Sequence, residues 1–223
     1  MSTNSYIKHL GKSFANSANS KNAVTMATYM KNRFAFFGIK TPERRKISSA
    51  FIKENGIPEF TKLDEMIPSL FDLPEREFHY FAIEVCAKLK KNWNRETINL
   101  FEKMAITKSW WDTVDSINIF CIKPYFAEFP ANTDSITQKW IDSENTWLQR
   151  LSLIFQLRLT DKTDTKLLKR NILQLKDSDE FFIQKAIGWA LRDYWRTDPE
   201  WVVNFVSTTD LKPLSKREAL KHL

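Results

Sequence analysis

Apolar residues recur at helical spacing along almost the whole chain, as Tyr6, Leu10 and Phe14 do near its start. Glycine is scarce and strand-like alternation is rare, which favours helices throughout. The breaks fall at Pro58, Pro68, Pro74, Pro130 and Pro199 or at polar clusters. Beyond the first two amphipathic segments, the pattern predicts helices at about 42–54, 58–71, 75–91, 95–106, 110–122, 133–142, 145–159, 164–176, 180–195 and 198–207.

A weak internal repeat accompanies this periodicity. Long apolar helices open near Pro74, Ser109, Asn145 and Asp179, about 35 residues apart, with a shorter helix between each pair. A two-helix unit of this length is typical of HEAT or TPR arrays, and the missing TPR consensus favours a degenerate HEAT-like stack. We therefore expect an all-α solenoid of stacked antiparallel helix pairs with a concave basic face. No linker interrupts it, so a single domain over 1–223 is predicted.

Composition excludes some functions and leaves others open. The four glycines are scattered, so there is no Rossmann or P-loop phosphate site. The net charge of +7 suits a polyanion such as nucleic acid, and equally any soluble basic protein. Since no apolar run approaches the roughly 20 residues of a membrane helix and MSTNSYIKHL lacks a signal core, we expect a cytoplasmic protein without membrane contact.

The residues that commonly bind metals are dispersed. Cys86 and Cys121 each lie inside an apolar stretch, which predicts two buried, reduced thiols. His9, His79 and His222 have no ligand spacing relative to either cysteine. We therefore expect neither a metal nor a cofactor, and we expect a monomer.

The most unusual segment is Ser109–Ile117, SWWDTVDSI. Ser109 and Asp112 resemble a capping pair at a helix start, which leaves Asp115 without a structural role. Trp111 and Asp115 are four residues apart and share one helix face, where a ring and a carboxylate together suit a cationic substrate. The alternative is that Trp111 packs in the core and Asp115 pairs with a nearby arginine.

A second unusual helix is predicted over 180–195. Gly188 inside a helix costs up to about 1 kcal/mol relative to alanine, so close approach of another helix or of a ligand should offset it. Trp189 beside it could form a second aromatic wall. By sequence alone, Arg150 reads equally well as a surface arginine, and Tyr29 as a tyrosine at the edge of the core.

Basic residues recur along the chain, and a solvated face is their usual explanation. The start of the helix predicted at 42–54, with Thr41 as N-cap and Pro42 in the first position, would also suit phosphate, because free backbone N–H groups point outward there. Our DNA-binding candidates are Lys40, Arg44, Arg45, Lys185 and Arg192.

Four segments together resemble the AlkD-like family of bacterial DNA alkylation repair glycosylases, which are HEAT-like repeat proteins. They are MATYMKNRFAFFGIKTPERRKI, KSWWDTVDSI, TWLQRLSLIFQL and FFIQKAIGWALRDYWRTDPEWVVNFV, spread from about residue 24 to 220. The resemblance places the family's catalytic aspartate on Asp115 and its catalytic tryptophans on Trp111 and Trp189. It also places a cleft arginine on Arg150, which would hold a phosphate, and a lesion-side tyrosine on Tyr29.

The resemblance implies excision of cationic N3- and N7-alkylated purines from duplex DNA in a shallow cleft, without base flipping. Such a base departs neutral, so one carboxylate that stabilises the sugar cation suffices and no general acid is needed. Some relatives keep the fold and lose base excision. A non-catalytic module for branched or damaged DNA and a protein–protein scaffold therefore remain as alternatives.

Overall fold

The structure, a computed structural model, describes residues 2–221, which form helices joined by short turns; His222 lies outside this range. In the described range the only β-type pairing is an isolated bridge between Ala35 and Glu75. The predicted all-α fold class is confirmed. The helices are α1 Thr3–Ala15, α2 Ser20–Tyr29, α3 Thr41–Asn55, α4 Leu63–Asp72, α5 Arg76–Lys88, α6 Thr97–Ile106, α7 Trp111–Ile117, α8 Lys123–Glu128, α9 Thr133–Asp142, α10 Thr146–Ile154, α11 Thr165–Leu175, α12 Phe181–Trp195, α13 Pro199–Thr208 and α14 Pro213–Ala219.

The predicted repeat is present in the helix positions. The helices α5, α7, α10 and α12 begin at Arg76, Trp111, Thr146 and Phe181, each 35 residues after the one before. One or two further helices lie between each pair, as in a helical-repeat fold. The predicted alternation of long and short helices is not seen, because α9 and α11, with 10 and 11 residues, are longer than α7 and α10, with 7 and 9. Because consecutive repeat units stack, side chains about one period apart in sequence can meet in space.

Several boundaries differ from the predicted ones. Pro68 does not break a helix but lies inside α4, where burial of the surrounding apolar side chains outweighs its missing N–H. Helix α3 begins one residue earlier than predicted, with Lys40 as N-cap and no side-chain cap. The helix predicted at 145–159 ends at Ile154. The short helices α8 and α14 were not predicted, because each spans fewer than two turns.

Internal contacts divide the chain into two compact units, one up to Leu100 and one from Phe101 onward. The expectation of a single domain over 1–223 stays a prediction. In the first unit the core is rich in phenylalanine, and the Phe14 ring lies 5.6 Å from that of Phe78 and 6.4 Å from that of Phe81. Burial of such rings contributes more per residue than any other contact in a helical core.

A buried glutamate fixes the FFGIK loop of the first unit. The Glu77 carboxylate accepts backbone N–H bonds from Phe37, Gly38 and Ile39 at 3.0–3.1 Å. Gly38 has φ 85°, and a Cβ there would lie 2.1 Å from the Asn19 carbonyl oxygen. Gly38 is therefore required by both conformation and space.

The second unit contains three of the four segments that carry the family resemblance, and the first segment lies in the first unit. Its helix α10 packs against α9 and α12, and α12 packs in turn against α13 and α14. Gly188 lies where α12 meets α14: a Cβ there would lie 2.4 Å from the Glu218 Cβ and 2.8 Å from the Ser215 carbonyl oxygen. Helix packing therefore accounts for the glycine.

Two further expectations can be compared with the structure. Cys86, in the first unit, and Cys121, in the second, are both buried and reduced, as predicted. Among residues 2–221, every helix is too short or too polar to cross a membrane.

We predict that Gly188→Ala lowers the free energy of unfolding by about 1–3 kcal/mol, because the added methyl group forces α12 and α14 apart. Gly11→Ala is the matched control, since its Cβ would lie 3.4 Å from Phe78 Cζ and helix propensity favours alanine by up to about 1 kcal/mol. Thermal unfolding followed by circular dichroism measures both. Equal melting temperatures for the two variants would contradict the close helix approach.

Candidate active site

A bidentate ion pair joins α7 to α10. The Arg150 Nε donates to Asp115 Oδ1 at 2.8 Å, and its Nη2 donates to Asp115 Oδ2 at 2.9 Å. The two residues are one repeat period apart, so the stacking of neighbouring units brings them together. Because both carboxylate oxygens accept from the guanidinium, Asp115 is held as the anion in one fixed orientation.

Arg150 is itself buried, and its remaining contacts fix its position. Its Nη1 donates to the Phe182 carbonyl oxygen at 2.9 Å, and its Cζ lies 5.8 Å from the centre of the Trp189 ring. Phe182 and Trp189 both belong to α12, and Asp115 belongs to α7. Arg150, on α10, therefore contacts both neighbouring repeat units. The prediction that Arg150 holds a phosphate stays a prediction, but its guanidinium is already committed inside the protein.

An aromatic cluster adjoins this ion pair. The ring of Phe182 lies 5.0 Å from that of Trp110 and 4.9 Å from that of Trp147, and the two indoles lie 5.9 Å apart. Each ring comes from a different repeat unit, on or just before α7, α10 and α12. The cluster therefore fixes the relative positions of the helices that carry Asp115, Arg150 and Trp189.

The environment of Asp115 combines burial with one accessible side. Its side chain is 17% exposed. Burial raises the pKa of the Asp115 carboxyl above its ordinary value, while the hydrogen bonds and charge of Arg150 oppose that rise. A carboxylate that is partly desolvated but fixed by an arginine interacts strongly with a neighbouring positive charge.

Asp115 opens onto a cavity of about 770 Å³ in the second unit. This volume lies within the range of small-molecule sites. Trp189 forms part of the same wall. The lining is mainly apolar with three cationic side chains, and includes Ile119, Lys123, Phe126, Phe155, Leu157, Arg158, Leu159, Lys162 and Asp193.

A π-helical turn over Asn118–Ile122 follows α7 directly. π-Turns are uncommon and often occur at functional sites, because they rotate the following side chains out of α-helical register. Here Asn118 is buried in the cavity wall, where its Nδ2 donates to the Ile154 carbonyl oxygen at 2.9 Å. Ile119, by contrast, is more than half exposed despite being a large apolar residue. Ile119 and Asp115 both line the cavity, so an exposed apolar side chain lies in the same wall as the carboxylate.

The structure brings together only some of the predicted catalytic residues. Asp115, Arg150 and Trp189 converge as described. Trp111 is half-buried one turn before Asp115 on α7, and it is not among the described residues that line the cavity. Tyr29 belongs to the first unit, where it is 68% exposed rather than placed at the edge of the core.

The predicted cap at α7 is wrong. The Ser109 hydroxyl donates to the Ala105 carbonyl oxygen at 2.7 Å, and Trp110 occupies the N-cap without a side-chain cap bond. Asp112 is buried in the first turn of the helix. A serine hydroxyl often bonds to the main-chain carbonyl oxygen four residues earlier, and this local bond replaces the predicted cap here.

Two of the predicted DNA-binding cations point at a glutamate instead. Lys185 Nζ lies 2.9 Å from Glu218 Oε2, and Arg192 Nη1 lies 2.8 Å from the same oxygen. Arg192 Nη1 also donates to the Glu218 main-chain carbonyl oxygen at 3.0 Å. With Gly188 between them on α12, these residues form the face that holds α14. Their contact with DNA stays a prediction.

The remaining basic candidates lie in the first unit. Arg44 is buried, and its two Nη atoms donate to the Glu84 carboxylate at 2.9 Å. Arg45 is exposed, with its Nε 3.4 Å from Glu84 Oε1. Lys40 is exposed at the start of α3. Lys40 and Arg45 are therefore better placed than Arg44 to contact phosphate, and all three assignments stay predictions.

Sequence reasoning missed a second cross-repeat contact in the cavity wall. The Arg158 backbone N–H donates to Asp193 Oδ2 at 2.6 Å, and Lys123 Nζ donates to the Leu157 carbonyl oxygen at 2.7 Å. Arg158 and Asp193 are 35 residues apart, the same separation as Asp115 and Arg150. The repeat period was therefore the signal that could have found them.

Within residues 2–221, no three His, Cys, Asp or Glu side chains gather closely enough to hold a metal. The groups that line the cavity include a fixed carboxylate, aromatic faces and cationic side chains.

Comparisons with known proteins agree on one family. A family model described as DNA alkylation repair enzyme matches residues 10–223. A solved structure described as a predicted DNA alkylation repair enzyme from Enterococcus faecalis is 36% identical, with a TM-score of 0.85, and the match covers 92% of this chain and 96% of that one. No curated protein sequence gives a significant match.

The Glu218 cluster generates a pH prediction. Hydrogen bonds from Arg192 and then Lys185 lower the pKa of Glu218 from 4.5 to about 2. Its contribution to stability is therefore complete above pH 4.5 and is lost as the pH falls towards about 2. Glu218→Gln should be less stable than the wild type near neutral pH, and this difference should shrink across that window in denaturant unfolding. Exposed Glu128→Gln serves as control, and a pH-independent difference would refute the assignment.

Proposed function

Because this chain belongs to the DNA alkylation repair enzyme family, we propose that it is a monofunctional DNA glycosylase. Its substrates are cationic N3- and N7-alkylated purines, such as 3-methyladenine and 7-methylguanine, in duplex DNA. It hydrolyses their N-glycosidic bond as the first step of base excision repair, acting as a monomer on chromosomal DNA in the cytoplasm.

The observation that carries this proposal is the Asp115 carboxylate, fixed by Arg150 on the wall of a cavity that Trp189 also lines. Each carboxylate oxygen accepts one hydrogen bond from the guanidinium, so a second lone pair on each oxygen remains available. A negative group that is held rigidly and is partly desolvated suits a positive charge that develops during reaction. It therefore suits the sugar cation formed when a glycosidic bond breaks.

The chemistry needs little else from the protein. Alkylation at N3 or N7 already makes the purine a cation, so its glycosidic electron pair returns to the ring and the base leaves neutral. Asp115 stabilises the resulting oxocarbenium ion, and water adds to C1′ of the deoxyribose and loses a proton. An acid that protonates the leaving group, as in ordinary glycoside hydrolysis, is not required.

The surrounding residues have distinct roles in this scheme. Trp189 presents a ring face on the cavity wall that favours the sugar cation. Trp111 on α7 does not line the cavity, and its role in this scheme is to cradle the DNA backbone around the lesion. Arg150 positions Asp115. Selectivity comes from the charge and lability of the lesion, so the glycosidic bond is cleaved without the base being flipped out of the duplex. The apolar cavity wall accommodates the alkyl group of a bulky adduct.

We predict that Asp115→Asn lowers the rate of 7-methylguanine release from methylated duplex DNA by at least about 100-fold, because the neutral amide cannot stabilise a cation. The rate is measured by single-turnover base release. Circular dichroism must accompany it, since the variant leaves Arg150 buried without its anion and is expected to be less stable.

Asp179→Asn is the control for Asp115→Asn, because Asp179 also pairs with a basic residue, Lys212, and does not line the cavity. It should retain the wild-type rate. Wild-type activity in a folded Asp115→Asn protein would remove Asp115 from catalysis. Binding of duplex DNA by a wild-type protein that releases no base would instead favour the non-catalytic DNA-binding module.

Arg150 generates a separate prediction about pH. The reaction needs the Asp115 carboxylate, so its rate falls as the pH drops through the pKa of that group. Arg150 lowers this pKa against the effect of burial. Arg150→Gln should therefore raise it and move the acid limb of the rate profile to higher pH. Lys139→Gln, which removes a pairing with Glu102 outside the cavity, should leave the profile unchanged. Weaker DNA binding by Arg150→Gln with an unshifted profile would make Arg150 a phosphate ligand instead.

A further inference from the structure

A small basic hollow of about 280 Å³ adjoins the cavity that contains Asp115. Three residues, Arg158, Trp189 and Asp193, line both spaces, so the hollow is continuous with the proposed catalytic wall. Its other lining residues are Arg192, Arg196 and Lys221. Four cations thus surround one carboxylate and one indole.

Most of this positive charge is not neutralised within the protein. Among residues 2–221, no carboxylate forms a salt bridge with the side chain of Arg158, Arg196 or Lys221. Arg192 differs, because Glu218 holds its guanidinium. The Asp193 carboxylate accepts the Arg158 backbone N–H and opposes part of the charge. The balance in the hollow remains positive and open to an anion.

The backbone that presents Arg158 is constrained. Arg158 has φ 62° and Thr160 has φ 55°, left-handed values that side chains seldom adopt and that cost about 1 kcal/mol or more each. Asp193 binds the Arg158 N–H on one side, and Lys123 binds the Leu157 carbonyl oxygen on the other. These two hydrogen bonds hold the turn in place, and the Arg158 side chain is exposed at the rim of the hollow.

We propose that the hollow binds the backbone phosphate next to the lesion nucleotide, the role that sequence reasoning gave to Arg150. This inference rests on the proposed function, since it takes the lesion sugar to lie against Asp115 and Trp189. A nucleotide held there carries phosphates on both sides, and the hollow begins at the same tryptophan. Arg158 and Arg196 offer planar guanidinium groups that match phosphate oxygens, and Lys221 adds a further positive charge.

The first test is the salt dependence of DNA binding. The double variant Arg158→Gln/Arg196→Gln should bind an unmodified duplex more weakly, and the slope of log affinity against log salt should become shallower by about 1 for one lost phosphate contact. The matched control is Lys166→Gln/Lys169→Gln, which removes the same charge from exposed positions on α11 outside the hollow. An equal change in slope for the two double variants would mean that the hollow contributes only to the general positive charge of the protein, and it would overturn the proposal.

The second test locates the phosphate. A duplex with one stable abasic-site analogue is prepared with a neutral methylphosphonate at each flanking phosphate in turn. At one position next to the analogue, wild-type binding should weaken, while binding by Arg158→Gln/Arg196→Gln should not weaken further. Additive losses at every position would overturn the assignment. Neither test needs base release, so an inactive protein that passes both would refute the glycosylase proposal and leave the phosphate site standing.

Discussion

The arrangement of the second unit depends on the bidentate ion pair between Asp115 and Arg150. Either charge would be costly to bury alone, and their mutual hydrogen bonds offset that cost only while α7, α10 and α12 keep their spacing. The aromatic cluster of Trp110, Trp147 and Phe182 maintains that spacing. The helical repeat therefore produces a carboxylate that cannot rotate, and such preorganisation is what stabilisation of a short-lived cation requires.

The cationic side chains of the second unit serve two purposes. Arg150, Arg192 and Lys185 are bound by carboxylates of the protein and hold helices together. Arg158 and Arg196 face outward without such partners in the described residues, which leaves them free to contact an external anion. A net positive charge thus says little about DNA contact until each cation is assigned to a carboxylate or to solvent.

Much of the site could be anticipated, for reasons that differ between residues. Asp115 and Trp189 were identified because their segments are distinctive and resemble a known family. Arg150 was identified too, but its bond to the Asp115 carboxylate was left as only one of several possibilities, because a guanidinium can pair with either a phosphate or a carboxylate. The contact between Arg158 and Asp193 was missed, because it joins a backbone N–H to a side chain and only the separation of one repeat period points to it. Ser109 was assigned to a cap, whereas its hydroxyl donates to the Ala105 carbonyl oxygen four residues earlier, and the sequence pattern does not show which of these two local bonds forms.

The sequence by itself determined the all-α class, the 35-residue repeat and the family, since helical periodicity and distinctive local segments are properties of the chain read in order. The tertiary structure alone decided which charges meet. Whether Arg150 faces Asp115 or solvent, and why position 188 must be glycine, depends on how successive helix pairs stack. Those contacts join residues about 30 or more positions apart, and their geometry is set by packing rather than by local preference.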